Sequence, residues 1–264
     1  MITTRRKIWL GLGAFGLVGA SAPLLAPLAA EKQEGGEGGE GGEGGEMGID
    51  PARAAVDPVV FLSALDVIAA HYLAGHDAYA NGETQAAAEM FAHPISEVYV
   101  DLEPILTKRG VKPFQARMQK ASELALAKAP KPEIDKAVDG VLAALKAAAA
   151  KAPRDKRKTP AVEAQVIADM IDRASLQYGT AAKEQALEPY LDGYGFYRAA
   201  ARRADAALPN IAKGGKDTAE ATRAALTLLA RAYPGAERPA NLPAQPGELL
   251  VAASKVKLAA EAMK

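Results

Sequence analysis

From residue 51 onward the chain is rich in alanine, poor in runs of β-branched residues, and interrupted by proline and glycine at helical intervals. Alanine loses no side-chain entropy in a helix, whereas β-branched and aromatic residues favour strands. This pattern predicts an all-α fold and offers no alternating segment on which to build a sheet.

The helix starts are chemically explicit. Asp57-Pro58 and Thr159-Pro160 each place an N-cap before a proline at the first helical position, where the missing N–H costs nothing. Asp217-Thr218-Ala219-Glu220 has the spacing of a capping box. Helices are expected at about 57–81, 83–109, 113–129, 132–151, 160–186, 189–208, 217–232 and 246–263, with Pro94 kinking or dividing the second. A proline-bracketed basic run, Arg154 to Lys158, reads as a solvated linker between two sets of four helices. The halves, 51–152 and 161–264, form either two small bundles or one continuous array of helical hairpins.

Two segments precede the helices. Arg5, Arg6 and Lys7 lead an apolar run from Ile8 to Leu28, with Ala29 and Ala30 as a cleavage point, which is the layout of a secretory signal over residues 1–30. Thr4-Arg5-Arg6-Lys7-Ile8-Trp9-Leu10 resembles a twin-arginine signal, with Ile8 and Trp9 where that pattern has phenylalanine and leucine. The resemblance implies a periplasmic or secreted protein; an uncleaved signal would instead be a membrane anchor. Residues 31–50 space Glu34, Glu37, Glu40, Glu43 and Glu46 by glycine pairs, a composition that cannot offset the entropy of ordering and so reads as a flexible acidic tether.

Charge excludes one class of partner. The 264-residue chain is formally neutral; Arg5, Arg6 and Lys7 give the signal +3, and Lys32 against seven acids gives the tether −6, so the helical part carries +3. That is too little for a nucleic-acid surface, and no basic stripe interleaved with aromatics is present. A membrane or periplasmic protein remains the partner class to expect. The absence of cysteine removes thioether haem attachment, iron–sulfur ligation, a lipoprotein anchor and disulfides together. There is no Gly-x-Ser-x-Gly nucleophile elbow and no phosphate-binding glycine loop, so the chain is read as a non-enzyme.

All three histidines, His71, His76 and His93, fall within 23 residues that also hold Asp77, Glu83 and Glu89, with Glu97 four residues beyond. His71 and His76 are five residues apart, about 140° around a helix, so they cannot share one ion from a regular helix. Glu89, His93 and Glu97 follow i, i+4 steps on one face of the second helix. Asn81-Gly82 folds that helix back beside the first, which would let His76 or His71 meet the Glu89/His93/Glu97 face. The expected metal site is therefore His76, His93, Glu89 and Glu97, with His71 as a fifth member, a donor set suited to iron or zinc. The competing reading makes His76 a core-edge histidine, His71 a partly exposed one, and Glu89 and Glu97 a solvated face. Pro94 works against the metal site, because it disfavours helical backbone at His93.

Two further patterns stand out. His71 to Phe91 spaces Gly75, Tyr79, Gly82, Ala87 and Phe91 much as a tetratricopeptide hairpin does, where small residues let two helices approach. Tyr190, Tyr194 and Tyr197 share one helix face beside Phe196, with Tyr178 on the preceding helix, either as a core stripe or as a ligand-facing surface.

Met170-Ile171-Asp172-Arg173-Ala174-Ser175-Leu176-Gln177-Tyr178, followed by Glu188-Pro189-Tyr190-Leu191-Asp192-Gly193-Tyr194-Gly195-Phe196, resembles the extracytoplasmic helical region of bacterial FTR-type iron permeases. The similarity spans roughly residues 162–260 and rests on Tyr190, Asp192, Gly195 and Phe196. The permease's several membrane spans and its Arg-Glu-x-x-Glu motif are missing, so transport does not carry over. What the resemblance implies is an exported helical binding protein, an iron-binding accessory or partner near metal uptake. The alternative is a non-catalytic interaction or structural module.

Overall fold

Asp57 opens the first long helix, its carboxylate accepting the Val59 N–H at 2.8 Å ahead of Pro58. In a computed structural model of the chain, which describes residues 50–263, every regular element is helical. The expected signal and all but the last residue of the acidic tether lie outside the described residues. A short helix α1 (Pro51–Ala54) precedes α2 (Pro58–Ala80), α3 (Thr84–Pro94), a π segment (Ile95–Tyr99) and α4 (Val100–Lys108). Then come α5 (Gln115–Leu126), α6 (Lys131–Ala149), α7 (Thr159–Glu184), α8 (Leu187–Gly214), α9 (Lys216–Ala232) and α10 (Pro246–Glu261).

Two helix starts differ from the sequence reading. The cap of α7 is Lys158, with Thr159 and Pro160 already helical and no side chain capping the first turn. The expected capping box of α9 is not made; Gly215 is the cap, and the Thr218 hydroxyl donates to Ala259 O at 3.0 Å. The helix begins at Lys216, so Asp217 lies inside the first turn and cannot serve as its cap. At its other end α8 runs through Pro209 to Gly214, six residues past the expected stop.

Pro94 divides the second expected helix in a specific way. Having no N–H, it breaks the regular ladder, and the next five residues widen into the π segment, where the Val100 N–H donates to Ile95 O five residues back. Gly82 makes the turn between α2 and α3 at φ +89°, a conformation that costs glycine little. The two helices then approach closely: a Cβ on Gly75 would lie 2.6 Å from the Phe91 ring and 3.1 Å from Ala87 O. This is the hairpin packing that the tetratricopeptide-like spacing anticipates.

The central element is α2, packed against α3, α6, α7 and α8. Most of its circumference is apolar, and Phe61, Leu65, Ile68, Ala70 and Tyr72 are all buried. By length and composition it could cross a membrane, yet 78% of its most apolar window is buried inside the protein. Because α7 and α8 of the second half cover α2 of the first, the two expected halves share one core and belong to one compact unit. The linker joins them rather than separating them. Arg157 donates to Asp57 at 2.6 Å and to Gln165 at 2.8 Å, so this member of the basic run straps the start of α2 to α7.

A second bridge lies deeper. Arg203 on α8 donates to both carboxylate oxygens of Asp66 on α2 and, at 2.7 Å, to Glu163 on α7. Burial works against this guanidinium, but its bonds to the two acids outweigh burial and hold it above its ordinary value.

Candidate functional site

The histidines are divided by the surfaces that α2 presents. His71 is 1% exposed and faces α8, whereas His76 is 29% exposed and faces α6. The sequence reading had the reverse, with His71 partly exposed and His76 nearer the core. An apolar stripe ranks positions only on a helix with one buried side, and α2 is buried on nearly all of them.

His76 does not reach the α3 face. Its Nε2 lies 2.7 Å from Asp135 Oδ1 on α6, and its Nδ1 lies 3.1 Å from Asp77 Oδ1. Lys131 holds the same Asp135 at 2.7 and 2.9 Å, and together Lys131 and His76 keep that carboxyl below its usual value. Asp77 is further bound by the Tyr194 hydroxyl at 2.7 Å and by Arg198. Burial first, then Asp77, pushes the Tyr194 phenol up to about 12. Both ring nitrogens of His76 meet a carboxylate, so His76 is part of a structural network linking α2, α6 and α8. Glu89 is also removed from the expected site: it is exposed and accepts from Gln85 on its own helix at 2.7 Å.

The remaining candidates converge with two residues that the metal reading did not include. Glu188, Asp192 and Phe196 recur at i, i+4 and i+8 on α8, and this face meets His71 and His93. His71 Nε2 lies 3.6 Å from Asp192 Oδ1, and His93 Nδ1 lies 3.7 Å from Glu188 Oε1. The two imidazoles are 6.5 Å apart, edge to face, and Phe196 closes the inner side at 6.2 Å from the His71 ring. Close approach of α8 to α2 makes this meeting geometrically available. A Cβ on Gly195 would lie 2.4 Å from Ala70 O, so only glycine permits that crossing.

His71 has a defined tautomer. Its Nδ1 is 2.8 Å from Val67 O, which can only accept, so Nδ1 carries the hydrogen and Nε2 carries the lone pair. Nε2 is buried and makes no hydrogen bond. Burial, opposed by the bond to Val67 and reinforced by the His93 charge, pushes the imidazole down to about 4. It is therefore neutral at pH 7 and needs no proton loss before acting as a ligand. Glu97 lies at the surface, yet desolvation by its neighbours raises its carboxyl; His93 opposes this and Glu188 adds to it.

Two ligands bonded at about 2.1 Å to one tetrahedral ion lie about 3.4 Å apart. The His71–Asp192 and His93–Glu188 separations both approach that span. Among the described residues, however, no three His, Asp or Glu side chains converge tightly enough to hold an ion as they stand. Of the five expected ligands, His71, His93 and Glu97 stay in one neighbourhood, whereas His76 and Glu89 leave it.

The tyrosine stripe is core. Tyr190 is fully buried and Tyr194 nearly so, and both pack with Tyr178 and Tyr197 around Tyr233, which follows α9. Backbone carbonyls accept the inner hydroxyls: Tyr233 donates to Ala174 O at 2.7 Å and Tyr190 to Gly235 O at 2.8 Å. Tyr233 was not among the sequence candidates, because it stands alone in a Pro/Gly-rich stretch with no periodicity to mark it.

No protein-family model matches the chain, and neither a curated protein nor a solved structure is significantly similar to it.

Proposed function

We propose that this is an exported, non-catalytic helical protein that binds a divalent transition-metal ion where α2, α3 and α8 meet. His71 and His93 would supply nitrogen, with oxygen from Glu97 and Glu188 and Asp192 beside His71. The observation that carries the reading is His71: a buried neutral imidazole, oriented through Nδ1 by a backbone carbonyl, with its Nε2 lone pair facing a carboxylate. Metal-binding histidines are commonly oriented by such a second bond. Around this fixed donor, His93, Glu97 and Glu188 lie nearer solvent and can turn inward to complete the shell. A nitrogen and carboxylate set suits iron or zinc, and the likeness of residues 162–260 to the FTR-type extracytoplasmic region favours iron. Export rests on Arg5, Arg6 and Lys7 ahead of the apolar run to Leu28.

Titration of purified protein with zinc and with iron(II) under anaerobic conditions tests the reading. One saturable site is expected, weakened tenfold or more in both His93→Ala and Glu97→Gln, with His76→Ala unaffected. Absence of saturable binding, or equal affinity in wild type and His93→Ala, rejects it. An interaction module has its own support in Leu176 on α7 and Val251 and Leu258 on α10, which are large, apolar and more than half exposed.

A further inference from the structure

A cavity of about 890 Å³ lies elsewhere in the molecule, between α2, α6, the start of α7 and α8. Its volume falls in the range of small-molecule sites. Leu65 and Ala69 of α2, Leu145 and Ala149 of α6 and Ala207 of α8 give it apolar walls. Because several are alanines, the walls leave room that longer side chains would fill.

Cations outnumber acids around it, Lys146, Lys158, Arg202, Arg203 and Lys213 against Asp66 and Glu163. Both acids that line the cavity, Asp66 and Glu163, are already bound by Arg203. Lys146, Lys158 and Arg202 line it as well, are exposed, and form no ion pair among the described residues. Lys213 donates to the side-chain oxygen of Asn210 at 3.1 Å and forms no ion pair among the described residues. Apolar walls beside an excess of positive charge complement an amphiphile with an acidic head.

We infer that this cavity binds a long-chain carboxylate, with the alkyl chain between α2, α6 and α8 and the carboxylate at Lys158 and Arg202. An apolar pocket provides affinity for the chain, while the cations select the head group. This site shares no residue with the His71–His93 neighbourhood, so either assignment can fail without the other.

Isothermal titration with dodecanoate, below its micelle concentration, provides the test, with dodecyltrimethylammonium as a cationic probe of equal chain length. Saturable dodecanoate binding is expected, at least tenfold tighter than the cation. The Lys158→Glu/Arg202→Glu variant alters two exposed side chains and should reverse that preference, with helicity by circular dichroism unchanged. Ala149→Phe, which fills the cavity, should weaken dodecanoate at least tenfold. Equal binding of both probes, unchanged dodecanoate affinity in the charge-reversed variant, or no binding at all overturns the inference. Tight binding of an acidic amphipathic peptide without any of dodecanoate would overturn it too, by making the groove a protein-docking site.

Discussion

A neutral imidazole buried in the folded protein and exposed in the unfolded one couples stability to pH. The unfolded chain takes up this proton near 6.5, whereas folded His71 takes it up only near 4. The stability that neutral His71 contributes is therefore fully present above about pH 6.5 and is lost as pH falls toward 4, where the unfolded state binds the extra proton. The full span corresponds to about 3 kcal/mol. Urea unfolding at pH 7 and pH 4.5 should show a fall that is about 2–3 kcal/mol smaller in His71→Gln than in wild type. Equal falls in the two proteins would remove the buried imidazole as the cause. At this scale the sequence was legible in part: His93 and Glu97 were identified from i, i+4 spacing, and they do adjoin His71. Glu188 and Asp192 have the same spacing on α8, but only a tertiary contact reveals that their face meets α2. His76 was misplaced because its partner, Asp135, is 59 residues away on a helix that no local pattern connects to it.

Among the helices, α8 carries the closest contacts, and its glycines are placed accordingly. Gly195 crosses the backbone of α2 at Ala70, and Gly193 receives Tyr233, whose hydroxyl would stand 1.9 Å from an added Cβ. Gly195→Ala should cost roughly 2–3 kcal/mol, since the opposing atoms are main chain and cannot turn aside. Gly179→Ala in α7 has open space and should instead stabilise by up to about 1 kcal/mol. Denaturant midpoints separate the two; a neutral Gly195→Ala would mean the helices can slide apart at no cost. Element positions were largely legible, because proline, glycine and Asp57 mark ends through local chemistry that survives folding. Thr159 and Asp217 show the limit of that logic. Proline at a helix start fixes φ but leaves a one-residue ambiguity in the cap, and α9 starts at Lys216, before the Asp217 that the spacing marked as its cap. The π segment after Pro94 follows from a missing donor, yet proline alone predicts a defect without specifying that α4 resumes beyond it.

At the scale of the whole molecule, the shared core decides how the chain unfolds. Arg203 ties α8 to α2 and α7, so Arg203→Ala leaves Asp66 and Glu163 without their cation in a poorly solvated place. A loss of about 3–5 kcal/mol is expected from chemical unfolding, because removing one partner of a buried ionic group strands the others. Arg203→Met should recover only the packing part of that loss. The two-bundle alternative fails on the surface of α2: α3 and α6 cover part of its circumference, and α7 and α8 cover the rest. A polypeptide of residues 51–152 would expose the apolar face that α8 occupies, while 161–264 would lose the helix on which α7 and α8 pack. Neither half should show a cooperative thermal transition alone, whereas mixing them should restore helicity and a single transition. Independent cooperative melting of either half would establish separate domains and leave the Arg157 strap and the Arg203 bridge as contacts between finished units.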